Sequence, residues 1–217
     1  MSKYNCFLNK KVLITGNTGF KGSWLTIWLN ILGAKLYGLA LDPPTTPSLF
    51  EEAKLGNIIE VNNVDIRDYY ELSKVVNRIQ PDYIFHLAAQ SLVSESYLDP
   101  IKTWGTNVMG TVNLLESLKQ IKGDCIGIII TSDKCYENQE WEWGYRESDI
   151  LGGNDPYSAS KGSAELVINS YSKSFFSEKQ NTNIRIASAR AGNVIGGGDW
   201  AQNRIVPDCV KAWTQNL

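Results

Sequence analysis

Cys125 to Thr131 reads C-I-G-I-I-I-T, an apolar run with no polar residue inside it to mark a solvent-facing side. A strand that is apolar on both faces has to be covered on both, and parallel sheets layered by helices are where such strands occur. Shorter runs of the same kind fall at Val12 to Thr15, Lys35 to Leu41, Ile58 to Val61, Asp82 to Leu87 and Asn183 to Ser188. Helical periodicity fills the gaps: Phe20 to Leu32, Asp68 to Ile79 with Leu72, Val75, Val76 and Ile79 on one face, about Leu98 to Ile121, and Pro156 to Phe176. Alternation of this kind predicts an α/β fold with a doubly wound parallel sheet.

With 217 residues the chain can bury one core and begin a second. We expect a first domain over residues 1–188 and, in the looser glycine-rich stretch from 189 to 217, the start of a smaller lobe that does not finish. Hydrophobic residues make up 43% and charged residues 20%, which excludes a disordered or repetitive chain. A net charge of -2, without charged blocks, leaves no footprint for nucleic acid or an anionic membrane. The four cysteines are far apart and share the chain with a single histidine, His86, so neither a zinc site of ordinary spacing nor a disulfide framework is expected. No apolar run approaches the ~18 residues of a spanning helix, and Met1 to Lys11 lacks the apolar core of a signal peptide. The expected setting is cytoplasmic.

Gly16-Asn17-Thr18-Gly19-Phe20-Lys21-Gly22 falls between the first strand and the first helix. Glycines there let the backbone approach a pyrophosphate, and the helix N-terminus adds free N–H groups and partial positive charge. The position, more than the pattern, points to a Rossmann-type dinucleotide site that includes Gly16, Thr18, Gly19, Phe20 and Gly22. Asp42 ends the second strand, where a carboxylate accepts hydrogen bonds from a ribose and repels a 2′-phosphate, which favours NAD. Asp42 also precedes Pro43, and starting a turn is the competing role. Asp65 and Ile66, after the third strand, stand where they flank an adenine; the competing reading of Asp65 and Arg67 is a solvated acid and base at a strand end.

Tyr157-Ser158-Ala159-Ser160-Lys161 is Y-x-x-x-K, which on a helix puts phenol and ammonium on one face. Asp155 reads as N-cap and Pro156 as the first helical residue, so Tyr157 lies in the first turn. A neighbouring cation and the helix dipole are expected to lower the phenol's pKa and make it a base. Thr131-Ser132-Asp133-Lys134 closes a strand at the end where ligands of parallel sheets gather.

Taken together, G-N-T-G-F-K-G-S-W-L, H-L-A-A-Q, T-S-D-K-C-Y-E-N, Y-S-A-S-K and R-A-G-N-V-I-G-G-G-D-W resemble the CDP-glucose 4,6-dehydratases, within the extended short-chain dehydrogenase/reductase group. The resemblance spans nearly the whole chain. It implies that Leu87, Ala88, Ala89 and Gln90 lie beside NAD, that Tyr157 takes the proton of the sugar 4-hydroxyl, that Ser132 bonds that hydroxyl, and that Lys161 holds the nicotinamide ribose. It further implies that Lys134 assists loss of the C5 proton, that Asp133 protonates the leaving 6-hydroxyl, and that Asn193 and Arg204 contact the substrate diphosphate. A homodimer joined through the two long helices is also implied. The thymidine-diphosphate relatives carry Asp-Glu where this chain has Asp133-Lys134, and an ion pair between these two is the plain alternative to catalysis. Sugar-nucleotide epimerases share the loop and Y-x-x-x-K but need no acid–base pair for elimination, and a cofactor-binding protein without turnover is the remaining alternative.

Overall fold

The computed structural model describes residues 5–180 and 182–215. Met1 to Tyr4, Asn181, Asn216 and Leu217, and with them the outer ends of both expected segments, lie outside the described residues. Six strands, β1 (Lys11–Thr15), β2 (Lys35–Ala40), β3 (Glu60–Asn63), β4 (Tyr83–His86), β5 (Cys125–Ile130) and β6 (Ile184–Ala189), form one sheet in the order β3-β2-β1-β4-β5-β6. All five pairings are parallel. This is the doubly wound arrangement expected, and its order reverses between β1 and β4, where a crevice opens at the carboxyl ends of the strands.

Alternation along β1 shows why both faces are apolar. Val12 and Ile14 join Leu29 of α1 (Phe20–Ile31) and Leu36 in one core, whereas Leu13 joins Ile84 and Ile129 in the other. That second core is closed by α3 (Tyr69–Ile79), α6 (Gly110–Leu118) and α7 (Pro156–Ser174) through Leu72, Val76, Leu114, Leu115, Leu118 and Ile168. Each such side chain contributes about 1.5–3 kcal/mol on burial. Caps are set where the sequence puts them: Asp68 accepts from the Glu71 N–H at 3.1 Å, and Asp155 from the Ser158 N–H at 2.9 Å, with Pro156 opening α7.

Two elements depart from expectation. The third strand runs two residues later than Ile58 to Val61, because Ile58 closes a 3-10 turn at Leu55–Asn57 and Ile59 turns into the first core. As an edge strand paired only to β2, β3 does not need to be apolar on both faces. The long helix expected from Leu98 to Ile121 is broken at Asp99. α4 (Val93–Leu98) ends there, and Pro100, lacking an N–H, starts α5 (Pro100–Trp104) under the Asp99 cap, which accepts from the Lys102 N–H at 2.9 Å. A π-helical turn, Gly105–Met109, then leads into α6.

Beyond β6 the chain crosses the carboxyl edge of the sheet. Gly197 accepts a hydrogen bond from Trp24 Nε1 at 2.9 Å, Gly198 lies against Leu49 of α2 (Leu49–Glu52), and Asn203 Nδ2 reaches Ser94 Oγ at 3.2 Å. The last described helix, α8 (Ile205–Thr214), follows, and no helix among the described residues is long and apolar enough to cross a membrane. Because Leu114 is fully enclosed between sheet and α3, Leu114→Ala should cost about 2–5 kcal/mol in chemical denaturation. Ile31→Ala, at a residue 75% exposed, should stay within about 0.5 kcal/mol.

Candidate active site

The glycine turn closes by contact between backbones. Gly16 has φ +72°, and a Cβ there would stand 2.7 Å from the Ala88 nitrogen, while one on Gly22 would stand 2.1 Å from the Gly16 oxygen. Gly19 differs: its nearest neighbour would be the Gly16 oxygen at 3.4 Å, so packing does not require a glycine there and the space ahead of the helix stays open. Helix α1 has no side-chain cap and no acid in its first turn, leaving N–H donors directed into that space. A dinucleotide pyrophosphate fits these features. Thr18 anchors the turn by donating to the Leu41 carbonyl at 2.9 Å, and Asn63 Nδ2 holds the neighbouring Asp42 at 3.2 Å.

Across the crevice, Tyr157 in the first turn of α7 hydrogen-bonds Ser132, with both residues buried. Ser132 also donates to Asp133 Oδ1 at 3.1 Å and accepts from the Lys134 N–H at 3.2 Å, which shapes the 3-10 turn Asp133–Cys135. Asp133 and Lys134 are exposed and form no ion pair with each other. Arg204, at the N-terminus of α8, is close enough to act on Tyr157 and Lys21, and its buried Nε lies 3.6 Å from Asp199, beyond hydrogen-bond reach. Asn193 is exposed on the segment between β6 and α8.

The charges do not bring the Tyr157 phenol down as expected. Burial pushes its pKa up, Asp133 and Asp155 add to this, and the opposing bond to Ser132 and the charge of Arg204 do not overcome them. Lys161 instead points its ammonium at the Ile130 carbonyl, 3.5 Å away, and its own pKa is lowered to about 8 by burial and by Lys21. Lys21 is lowered in turn by burial and Arg204, so three cations crowd one cleft.

A buried polar layer supports these groups. Thr15 Oγ1 and His86 Nδ1 share a hydrogen bond of 2.7 Å, and burial and Lys161 lower the His86 pKa to about 3, so the ring is neutral and packed. Asn107, in the π-helical turn, accepts from the Gln90 N–H at 2.9 Å, returns a bond to the Gln90 carbonyl at 3.0 Å and donates to Ser160 at 2.9 Å. The Gln90 side chain is committed to Thr103 and Leu92, and Ala88 donates its N–H to Thr15 at 3.2 Å, which leaves Leu87 and Ala89 to line the β4 end beside them. Asp65 is bound by Arg67 at 2.6 Å, and the Ile66 side chain lies in the core against Gly110 while its carbonyl accepts from Asn113 Nδ2 at 3.0 Å.

Sequence reasoning missed Asn107, Lys21 and Glu165. Glu165 was the most accessible of them, since Tyr157, Lys161 and Glu165 repeat at helical spacing on one face. Asn107 had no such signal, because a π-helical turn leaves no periodicity of its own.

Residues 13–190 match the sequence model of the GDP-mannose 4,6 dehydratase family. The chain is 51% identical over 214 residues to a CDP-glucose 4,6-dehydratase of Salmonella typhimurium, covering 98% of this chain and 60% of that protein. It is 29% identical to a dTDP-D-glucose 4,6-dehydratase of Dictyostelium discoideum, covering 95% of this chain and 49% of that one. Among solved structures, the epimerase Mth375 of Methanothermobacter thermautotrophicus superposes with a TM-score of 0.82 at 25% identity, over 99% of this chain and 61% of that one. A UDP-glucose 4-epimerase from Brucella ovis in complex with NAD superposes with a TM-score of 0.79 at 21% identity, over 96% and 62%. The chain therefore spans about 60% of the CDP-glucose relative's length.

A histidine held neutral makes stability depend on acid in a defined window. The unfolded ring takes a proton near its ordinary value of 6.5 and the folded ring only near 3, so stability is fully present above pH 6.5 and is lost as pH falls toward about 3. Denaturant titrations of His86→Gln should show a flatter pH dependence across that window, at lower stability near neutrality. A slope unchanged from that of the parent chain would assign the acid sensitivity to other groups.

Proposed function

Because the chain belongs to the GDP-mannose 4,6 dehydratase family, we propose that it carries the cofactor-binding and catalytic part of an NAD-dependent nucleotide-sugar 4,6-dehydratase acting on CDP-glucose. The observation that carries this reading is the turn in which Ser132, bonded to the Tyr157 phenol, is followed directly by an exposed acid and an exposed amine, Asp133 and Lys134. NAD, held against Gly16 to Gly22, would supply the hydride acceptor and donor that oxidation at C4 and reduction at C6 of the sugar require.

The chain's own residues do the rest. Ser132 positions the 4-hydroxyl and Tyr157 removes its proton. Burial raises the phenol pKa against the opposing bond to Ser132 and charge of Arg204, and the positive charge of an oxidised nicotinamide beside the phenol would act in the same direction as these two. Lys161, its pKa lowered to about 8 by burial and by Lys21, fixes the nicotinamide ribose with its ammonium. Oxidation at C4 acidifies the C5 proton. Elimination then needs a base at C5 and an acid at C6 within reach of one sugar, and Lys134 and Asp133 supply them from consecutive positions. Asp42, oriented by Asn63, accepts from the adenosine ribose, and Asp65 and the Ile66 backbone flank the adenine. Asn193 and Arg204 hold the substrate diphosphate, for which the crowded cations Lys21, Lys161 and Arg204 leave a net demand for anion. An epimerase would need only Ser132, Tyr157 and the cofactor, which leaves Asp133 and Lys134 without a role.

We also propose a homodimer, supported by exposed apolar side chains on the helices expected to pair: Leu98, Ile101 and Leu166 are 78%, 85% and 59% exposed. Ile101→Glu with Leu166→Glu should convert it to a monomer in light scattering, and a parent chain already monomeric at micromolar concentration would end this reading.

The loop assignment is tested by contrast between two glycines. Gly19→Val should leave the melting temperature nearly unchanged and abolish NAD binding in calorimetry, whereas Gly22→Val should damage the fold itself. In a chain carrying the full length of its relatives, CDP-glucose and NAD should give a 4-keto-6-deoxy sugar. Tyr157→Phe should remove the reduced-nicotinamide signal, and Lys134→Met should keep that signal while losing product and solvent deuterium at C5. Normal turnover by Lys134→Met would leave the proton to water or another residue.

A further inference from the structure

The turn that bears Ser132, Asp133 and Lys134 is gripped at both ends by one buried ion pair that no step above uses. At the near end Thr131 Oγ1 donates to Glu165 Oε1. At the far end Tyr136 Oη accepts from Arg190 Nη1 at 2.9 Å, and the Tyr136 ring lies on the guanidinium, 4.9 Å from its centroid. Glu165 and Arg190 meet at 3.0 Å, with the carboxylate side chain 5% exposed. Its second oxygen also accepts from Ser188 Oγ at 2.9 Å, and Arg190 gives a further bond to the Glu147 carbonyl at 3.2 Å. The aromatic side is extended by Tyr145, stacked on Tyr136 at 4.9 Å and 16°.

We propose that Glu165 and Arg190 are positioning residues for elimination: they fix the turn 132–135 relative to α7, so that Asp133 and Lys134 meet the same sugar whose 4-hydroxyl Tyr157 serves. The proposal rests on the acid–base reading of Asp133 and Lys134 given above. Glu165 sits one helical turn beyond Lys161, and so belongs to the same rigid body as the phenol and the ammonium. Through Thr131 and Ser188 it ties the carboxyl ends of β5 and β6 to that helix, and through Arg190 it ties down Tyr136 just past the turn. The backbone completes the frame, since the Asp133 N–H donates to the Ala191 carbonyl at 3.0 Å, next to Arg190.

A buried pair adds little net stability, because desolvation offsets its attraction, but a fully bonded network admits one geometry. Burial pushes the Glu165 carboxyl up, yet the bonds from Arg190, Thr131 and Ser188 outweigh this and hold it below its ordinary value. The carboxylate is therefore charged and fully engaged, as a fixed reference point for the turn requires.

The test combines a readout independent of turnover with one that depends on it. Removing both charges together, Glu165→Gln with Arg190→Gln, leaves no unpaired buried ion and preserves the fold. In a Cys6→Ser, Cys209→Ser background, two buried thiols remain, Cys135 inside the turn and Cys125 inside β5. Release of the turn should raise the rate of Cys135 labelling by a thiol reagent at least about tenfold while Cys125 stays protected. Unchanged protection of Cys135, or equal exposure of both thiols, overturns the proposal. In the full-length protein the same double variant should lose product formation at least about tenfold more than it loses the reduced-nicotinamide signal of C4 oxidation, which Ser132 on the same turn also serves. Equal loss of both signals would mean a merely structural pair and also overturns it. If the unsubstituted protein shows neither signal, the dehydratase reading fails on its own account, and thiol labelling still decides whether the pair holds the turn.

Discussion

The crevice exists because Gly16 brings no side chain to the backbone at Ala88. The two strands that flank the reversal of sheet order, β1 and β4, run side by side with Thr15 opposite His86, so their exits leave the sheet at the same level. One added carbon at Gly16 would stand 2.7 Å from the Ala88 nitrogen and push the exits apart. Everything placed around the crevice inherits this approach: Gly22 seats α1 on the turn, Thr18 fastens the turn to the end of β2, and the segment after β6 leans on Phe20 and Trp24 as it crosses.

Beneath the crevice the protein separates neutral from charged polar groups. His86 and Asn107 are buried, uncharged and bonded within the chain, so they hold the β4 exit against α7 without adding charge. Glu165 and Arg190 cancel each other on the β5 and β6 side. Positive charge gathers above them: Lys21 and Lys161 are lowered by burial and by a neighbouring cation, and Arg204, in ion-pair range of Asp199, stands beside them.

The sequence made legible whatever repeats with a period or carries a cap. The parallel sheet, α7 with Asp155 and Pro156 at its start, the glycine turn and the Ser132 to Lys134 turn were all readable, because each depends on local chemistry. Ile58 misled because its apolarity reports burial, which a turn leading into the core satisfies as well as a strand does. The direction of the Tyr157 shift was not readable, since it depends on how deeply the phenol is buried and on Asp133, a partner brought by a different strand. Lys161 shares the helix face with Tyr157, but the Ile130 carbonyl, which spacing does not reveal, claims its ammonium.

The wide turn at Gly105–Met109 sets the phase of the whole helical stretch around it. Residues four apart on a regular helix drift by ~40° at each step, so a row of three would wind away from any flat neighbour. Thr103, Asn107 and Thr111 nevertheless all reach the β4 exit, bonding Gln90 and His86 in sequence, because the wider turn takes the drift back. Beyond it, Leu114, Leu115 and Leu118 resume ordinary helical phase against the core. Length is therefore fixed here as strictly as identity: a chain one residue shorter in this stretch would keep its helix but have to choose between its polar row and its leucines.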